Sequence, residues 1–349
     1  MNILYVITGL GGGGAEKVVV DLADQMFKRG HQVKIAYLKG QITVYPEQSE
    51  IDLVYLGLES IFGARKAYES YKKLLLDFQP DVVHAHMVHA NLFARISRAF
   101  FSVPKLICTA HNANEGGKIR MLGYKFTNRF SDINTNVSVE AVETFVQKKA
   151  FNESALAIYN GIDLKKFKFL EKDRGAVLNI LAVGRLTEQK DYPNLLKAIS
   201  LLGDQNIVHV KIAGDGEERN TIRRLISKYN LESNVELLGR REDIPKLLEK
   251  ADLFVLSSLY EGFGLVVAEA MACNTFVVGT DCGGVKEVMG DTGILVPPKD
   301  SVALSLALTK AIQMSKEDII QNNIKALEHV NKNFDLQIIV DKWLKLYAS

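Results

Sequence analysis

The chain reads as an α/β protein with two parallel-sheet domains, and three observations carry that reading. Short apolar runs alternate with stretches of helical period from end to end, which is the pattern of βα units whose sheets are covered by helices on both faces. The alternation breaks at a polar stretch, residues 163–175, and then starts again. The length, 349 residues, accommodates two domains of ordinary size. The predicted domains are residues 1–165 and 166–332, facing across a cleft, with a C-terminal helix at 333–349 packing back on the first.

Each element follows from local pattern. Residues 3–8 form an apolar strand, followed by a glycine run and a helix over 15–29. Strands are predicted at 32–37 and 51–56, a helix at 61–78, a short strand at 81–84 and a helix at 91–101. A strand at 105–109 leads to a Gly/Asn-rich loop at 112–117 and a basic aromatic helix at 118–130. A strand at 132–136, a helix at 139–149 and a strand at 155–159 complete the first half. In the second half, strands are expected at 178–183, 208–213, 235–238, 252–256 and 275–279, with helices between them. Residues 335–347 carry apolar side chains at helical spacing.

Composition narrows the function. Hydrophobic residues make up 47% and charged residues 24%, a globular balance. A net charge of +2 gives no footprint of a nucleic-acid binder. Cys108, Cys273 and Cys282 have no metal-like spacing and read as reduced thiols of a cytoplasmic protein. No apolar stretch has the roughly 18 residues of a spanning helix, and the first residues form a strand with no signal-peptide pattern.

The strongest chemical pattern is Glu261 and Glu269, two acids with seven residues between them. Glu261 follows an apolar strand; Gly262 and Gly264 allow a tight turn into a helix, and Glu269 should lie about two turns into it. A carboxylate and free helix amides would then meet at a crevice beyond a strand's carboxyl end, where open α/β sheets bind ligands. The other reading is an acid on the helix dipole plus an acid on a solvated face. Gly9 to Gly14, between the first strand and first helix, suit a close backbone approach to phosphate; a plain glycine-rich turn is the alternative. Arg185 and Lys190 occupy the matching place in the second half, where they would clamp a diphosphate or stand as solvated cations near Glu188 and Asp191. His111 follows a strand and suits contact with a sugar hydroxyl or phosphate, or acid–base work. His84 and His86 read as strand-end packing or cleft lining. Asn160 to Asp163 is a turn signal suited to a hinge. There is no Asp-x-Asp to hold a divalent cation on a diphosphate.

In this order, Gly-Gly-Ala-Glu after the first strand, His111, Asn160 to Asp163, Gly184-Arg185 with Lys190, Ala213-Gly214-Asp215-Gly216 and Glu261-x7-Glu269 resemble the family-four retaining glycosyltransferases over nearly the whole chain. The resemblance implies a GT-B fold of two Rossmann-like domains, acceptor bound by the first and nucleotide-sugar donor by the second. It implies retention at the anomeric carbon with no metal or other cofactor. Arg185 and Lys190 would bind the donor diphosphate, and Glu269 the ribose hydroxyls. Glu261 with the amides of Phe263, Gly264 and Leu265 would line the sugar and β-phosphate, which Gly12 and Gly13 approach from the first domain. His111 would contact the sugar near the reacting centre, and Arg240 would lie near the base. A carboxylate nucleophile is one route to retention. Same-face attack, with the leaving phosphate taking the acceptor's proton, is the favoured one.

Two helices join bases to aromatics: Lys118, Arg120, Lys125 and Arg129 with Tyr124, Phe126 and Phe130, and Arg65, Lys66, Lys72 and Lys73 with Tyr68 and Tyr71. Such helices suit an anionic membrane surface and equally a plain amphipathic exterior. Within the family, a polyprenyl-diphosphate-linked or other glycan acceptor is expected, on the inner face of the cytoplasmic membrane in O-antigen or capsule synthesis. The donor is expected to be a UDP-sugar. A GT-B-shaped nucleotide-sugar epimerase and a non-catalytic nucleotide-sugar-binding subunit are the alternatives.

Overall fold

The structure, a computed structural model, describes residues 1–113, 115–172, 174–203 and 207–349. Asn114 of the predicted loop and Asp173 of the predicted linker lie outside the described residues. The chain divides into two compact units. Unit 1 comprises Met1–Gly161 and Gln337–Ser349, and unit 2 comprises Ile162–Leu336.

Unit 1 is built on seven strands: β1 (Asn2–Ile7), β2 (Gln32–Tyr37), β3 (Asp52–Tyr55), β4 (Val82–His86), β5 (Lys105–Ala110), β6 (Ile133–Asn136) and β7 (Leu156–Ala157). Their order is β3-β2-β1-β4-β5-β6-β7, and every neighbouring pair is parallel. Helices α1 (Gly14–Lys28), α2 (Ala64–Phe78), α3 (Val88–Arg98), α4 (Lys118–Thr127) and α5 (Val139–Gln147) connect them. Strands covered on both faces read as near-continuous apolar runs; all five residues of β4 are buried, two of them the histidines His84 and His86. Leu4, Val6, Val83, Ala85 and Leu106 pack against Tyr71, Leu74 and Leu75 of α2. A second cluster joins Met121 and Tyr124 of α4 to Phe145 and Phe151.

Unit 2 repeats the plan with β8 (Leu178–Val183), β9 (Val208–Ala213), β10 (Val235–Gly239), β11 (Leu253–Leu256), β12 (Phe276–Thr280) and β13 (Ile294–Val296). The order is β10-β9-β8-β11-β12-β13, again all parallel. Its helices are α6 (Tyr192–Ser200), α7 (Arg219–Lys228), α8 (Ile244–Lys250), α9 (Leu265–Ala272), α10 (Val285–Met289), α11 (Ser301–Gln313) and α12 (Lys316–Phe334). Ile180, Ala182, Val210, Ile212 and Val255 form the centre of the core with Leu195 and Ile199 of α6 and Leu304 and Leu308 of α11.

Both sheets grow outward from a first strand in two directions, so the order reverses between β1 and β4 and between β8 and β11. Loops leaving such a pair diverge and open a crevice at the carboxyl ends of the strands. The last helix, α13 (Leu336–Ala348), belongs with unit 1 from Gln337 onward. The Tyr347 hydroxyl lies 3.2 Å from that of Tyr5 and 2.6 Å from His84 Nδ1, and Lys105 donates to the Leu346 carbonyl at 2.6 Å.

Several boundaries differ from expectation. Strand β13 has three residues between Gly293 and Pro297 and is too short to show a period. The helix expected over 118–130 ends at Thr127, and a 3₁₀ turn, Asn128–Phe130, follows. The strand expected at 155–159 pairs only through Leu156–Ala157.

Candidate active site

The crevice of unit 2 is laced by two loops. After β8, Gly184 has no Cβ to obstruct its neighbours; a Cβ there would stand 2.9 Å from Lys190 Cε. Tyr192 donates from its hydroxyl to the Gly184 carbonyl at 3.1 Å. Asp191, at φ +44°, reverses the chain and caps α6 by accepting from the Asn194 amide at 3.3 Å. From β11 comes the second loop. Ser257 Oγ donates to the Lys190 carbonyl at 2.8 Å, and the Leu259 amide donates to the Gln189 carbonyl at 2.8 Å. Gln189 Nε2 returns a bond to the Tyr260 carbonyl at 2.8 Å.

At the centre, Lys190 Nζ donates to Glu261 Oε1 at 2.5 Å, and Ser258 Oγ donates to the same oxygen at 2.6 Å. The two charged side chains are only 16% and 10% exposed, so their attraction is screened far less than that of a surface pair. Lys190 is therefore not the solvated cation beside Glu188 and Asp191 that the sequence allowed. Gly283, after β12, seals the loop from beneath: at φ +56° its missing Cβ would fall 1.9 Å from the Glu261 carbonyl oxygen.

Gly264, at φ +87°, absorbs the turn before α9, so the helix begins only at Leu265. Glu269 therefore lies just over one turn into α9, not two, and it is 3% exposed rather than on a solvated face. Phe263 is buried with its ring edge-on to Phe334 at 5.2 Å. Gly264 offers no side-chain cap, and its carbonyl accepts from the Val267 amide at 2.8 Å, so that amide of the first turn is already used. Arg185 and Arg240 are exposed, and neither side chain has a hydrogen-bond or ion-pair partner among the described residues. Arg185 follows β8 at the switch point. Arg240 follows β10, two strands away, which is about 10 Å along the sheet.

In unit 1, the corresponding crevice holds glycines and neutral histidines. Gly12 lies at φ +96° and Gly13 stands at the N-cap of α1 without a side-chain cap. A hollow of about 270 Å³ is lined by Thr8, Gly9, Gly11, Glu16, Lys39 and Met87 among others; Gly12 and Gly13 are not part of its wall. Met87 adopts φ +70°, ψ 157° at the β4–α3 junction, a conformation costing on the order of 1–3 kcal/mol that clusters at functional sites.

His84 and His86 are fully buried. His86 Nδ1 lies 3.0 Å from His111 Nε2, and the His84 and His86 rings pack at 3.9 Å. Burial holds the imidazoles of His84 and His86 well below their ordinary range and pushes that of His111 down to about 4. All three are neutral at pH 7. The His111 amide donates to Glu115 Oε1 at 2.7 Å, and the Tyr124 hydroxyl donates to Glu115 Oε2 at 2.5 Å. Burial raises the Glu115 carboxyl to about 7 against the pull of those bonds.

Sequence reasoning missed Ser258, Gly283, Met87 and Glu115. Only Gly283 had a signal, the Gly283-Gly284 pair after a strand. Among the described residues, no group of three or more His, Cys, Asp or Glu could hold a metal ion. The three cysteines are buried and none is in a disulfide among the described residues. No described helix is long and apolar enough to cross a membrane.

Comparison with known proteins gives this geometry a family context. The family described as "Glycosyl transferases group 1" matches residues 164–326, and "Glycosyltransferase Family 4" matches residues 12–166. The chain is 27% identical to the N-acetyl-alpha-D-glucosaminyl L-malate synthase of Bacillus anthracis, over 96% of this chain and 93% of the relative. It is 26% identical to a Campylobacter jejuni alpha-1,4-N-acetyl-D-galactosaminyltransferase acting on a PP-undecaprenol-linked glycan, over 100% and 99%. Its fold is similar to that of the Anabaena protein HepE in complex with UDP, with a TM-score of 0.85, 22% identity and 100% of both chains covered.

Proposed function

Because the chain belongs to the group 1, family-four glycosyltransferases, we propose that it transfers a sugar from a UDP-sugar to a lipid-linked glycan, with retention and without a metal. In this reading unit 2 binds the donor and unit 1 the acceptor. The observation that carries it is the Lys190–Glu261 pair set at the β8–β11 switch point. The UDP-bound HepE and the undecaprenol-linked substrate of the Campylobacter relative support the two substrate classes.

The chemistry asks for positive charge where the leaving diphosphate gains negative charge. Lys190 spends one of its three donors on Glu261 and keeps the others for a phosphate oxygen. Arg185, exposed and unpaired among the described residues, supplies a second, forked donor. The amides of Phe263, Gly264 and Leu265 at the start of α9 add a helix dipole. Glu261, held by Lys190 and Ser258, meets the sugar, Glu269 the ribose, and Arg240 the base. In unit 1, Gly12 and Gly13 offer bare backbone to a phosphate, and His111 offers a contact to a sugar oxygen.

Transfer then passes through an oxocarbenium-like state. The acceptor attacks the face the diphosphate leaves, and the leaving phosphate oxygen takes its proton. A carboxylate nucleophile is less favoured because Glu261 is engaged by Lys190 and Ser258. A peripheral membrane location fits α4, where Ile119, Leu122 and Phe126 are exposed beside Lys118, Arg120 and Lys125 with no acid on the helix.

The test is a transfer assay with UDP-sugars and undecaprenyl-diphosphate-linked acceptors in EDTA. Formation of an α-linked product with stoichiometric UDP release supports the reading. A free epimer with UDP and no product would indicate the epimerase instead, and binding without turnover the non-catalytic subunit.

A further inference from the structure

Among the described residues His111 makes one side-chain hydrogen bond, and that bond limits what the rest of its ring can do. Each neutral imidazole carries a single N–H. His86 Nδ1 and His111 Nε2 lie 3.0 Å apart, so one of the two holds the proton between them. If His111 held it, His86 would carry its own proton on Nε2. That atom is buried and has no partner among the described residues. A buried N–H without an acceptor is the rarer and costlier orphan. The proton therefore belongs on His86 Nδ1, His111 Nε2 accepts it, and the His111 proton moves to Nδ1.

We propose that His86 is a positioning residue that fixes the tautomer of His111, so that His111 presents a neutral Nδ1–H donor and no basic nitrogen. His111 Nδ1 has no partner among the described residues and is free to donate to an oxygen of the substrate. Burial depresses all three imidazoles in this group, which keeps each in its one-proton form.

The supporting floor is built to hold His86 still. His84 packs against its ring at 3.9 Å and is itself tied at both nitrogens, to Tyr347 Oη and to Thr109 Oγ1, each at 2.6 Å. Thr109 Oγ1 continues to Thr135 Oγ1 at 2.6 Å. From the other side, Glu115 fixes the His111 backbone through its amide. The consequence for catalysis rests on the reading of His111 as a sugar contact: His111 orients or polarises a sugar oxygen and does not remove the acceptor's proton.

The experiment is a long-range ¹H–¹⁵N correlation spectrum of the full chain with ¹⁵N-labelled histidine at pH 7, assigned with H111N. The expected wild-type pattern is a neutral His111 protonated at Nδ1. H86L should release that tautomer and lower kcat about tenfold. H86N offers an amide N–H in place of Nδ1–H and should restore both. A wild-type His111 protonated at Nε2, or a His111 tautomer unmoved in folded H86L, overturns the proposal. The wild-type spectrum needs no variant to fold. If the tautomer is as expected but H111N retains full turnover, the sugar-contact reading fails and the tautomer assignment stands.

Discussion

Units 1 and 2 share a sheet plan and a switch point, yet they fill the two crevices with opposite chemistry. Unit 2 places a nearly buried ion pair there, Lys190 with Glu261. Unit 1 places a glycine turn, a strained Met87 and three neutral histidines there. The difference teaches that topology selects where a ligand binds, while the loop side chains decide which ligand. A crevice of paired charge suits a diphosphate, and one of neutral donors suits sugar hydroxyls.

The contrast breaks most severely at the ion pair. Lys190→Ala leaves Glu261 buried and uncompensated, and should cost about 3–5 kcal/mol in denaturant melts, together with UDP binding. Removing both partners should recover much of the stability and none of the UDP affinity. Recovery of both would show that the pair only holds the loops together.

Gly283→Ala should follow, at no less than about 2 kcal/mol. Its Cβ would strike the Glu261 carbonyl from a positive-φ residue. The Tm should fall, and residual folded protein should bind UDP weakly. A variant with unchanged Tm and UDP affinity would mean that this seal on Glu261 carries no function.

Unit 1 should instead be recognised by its pH response. Its histidines titrate below their ordinary value of 6.5, so the unfolded chain takes up their protons first and stability falls as pH drops from about 6.5 toward 4. Glu115, raised from 4.5 to about 7, has the opposite sign. Its contribution is present below pH 4.5 and is lost as pH rises through 7. Part of its surface stays in water, which moderates the effect. The Tm of E115Q relative to wild type should therefore climb between pH 4.5 and 7. A constant difference over that range would contradict the assignment. The smallest expected effect is that of EDTA, which should leave transfer unchanged; loss of activity restored by Mn²⁺ would refute a metal-free reaction.

Much of this was legible in the residues, for local reasons. Runs rich in apolar and β-branched residues between helical stretches stand out, so β2, β8 and β9 can be read to the residue although each carries polar side chains. Positions outside such runs were harder. The Lys190–Glu261 contact joins residues 71 apart, and no spacing rule encodes it. Gly264's positive φ decides that Glu269 lies one turn into α9, and a glycine in a sequence does not declare its φ. The His86–His111 bond crosses between neighbouring strands β4 and β5. It becomes visible only once the register brings the ends of those strands together.

The account's central claim is that unit 2 holds the nucleotide diphosphate at the β8–β11 crevice. Arg185 tests it most directly, because its exposed side chain has no partner among the described residues and its loss should not disturb the fold. The measurement is calorimetric titration of UDP into wild type and Arg185→Ala in EDTA. The account predicts binding by the wild type, and affinity at least about tenfold weaker in the variant at unchanged Tm, the loss of one charge-assisted hydrogen bond. Equal affinity, or no UDP binding by the wild type, would contradict it.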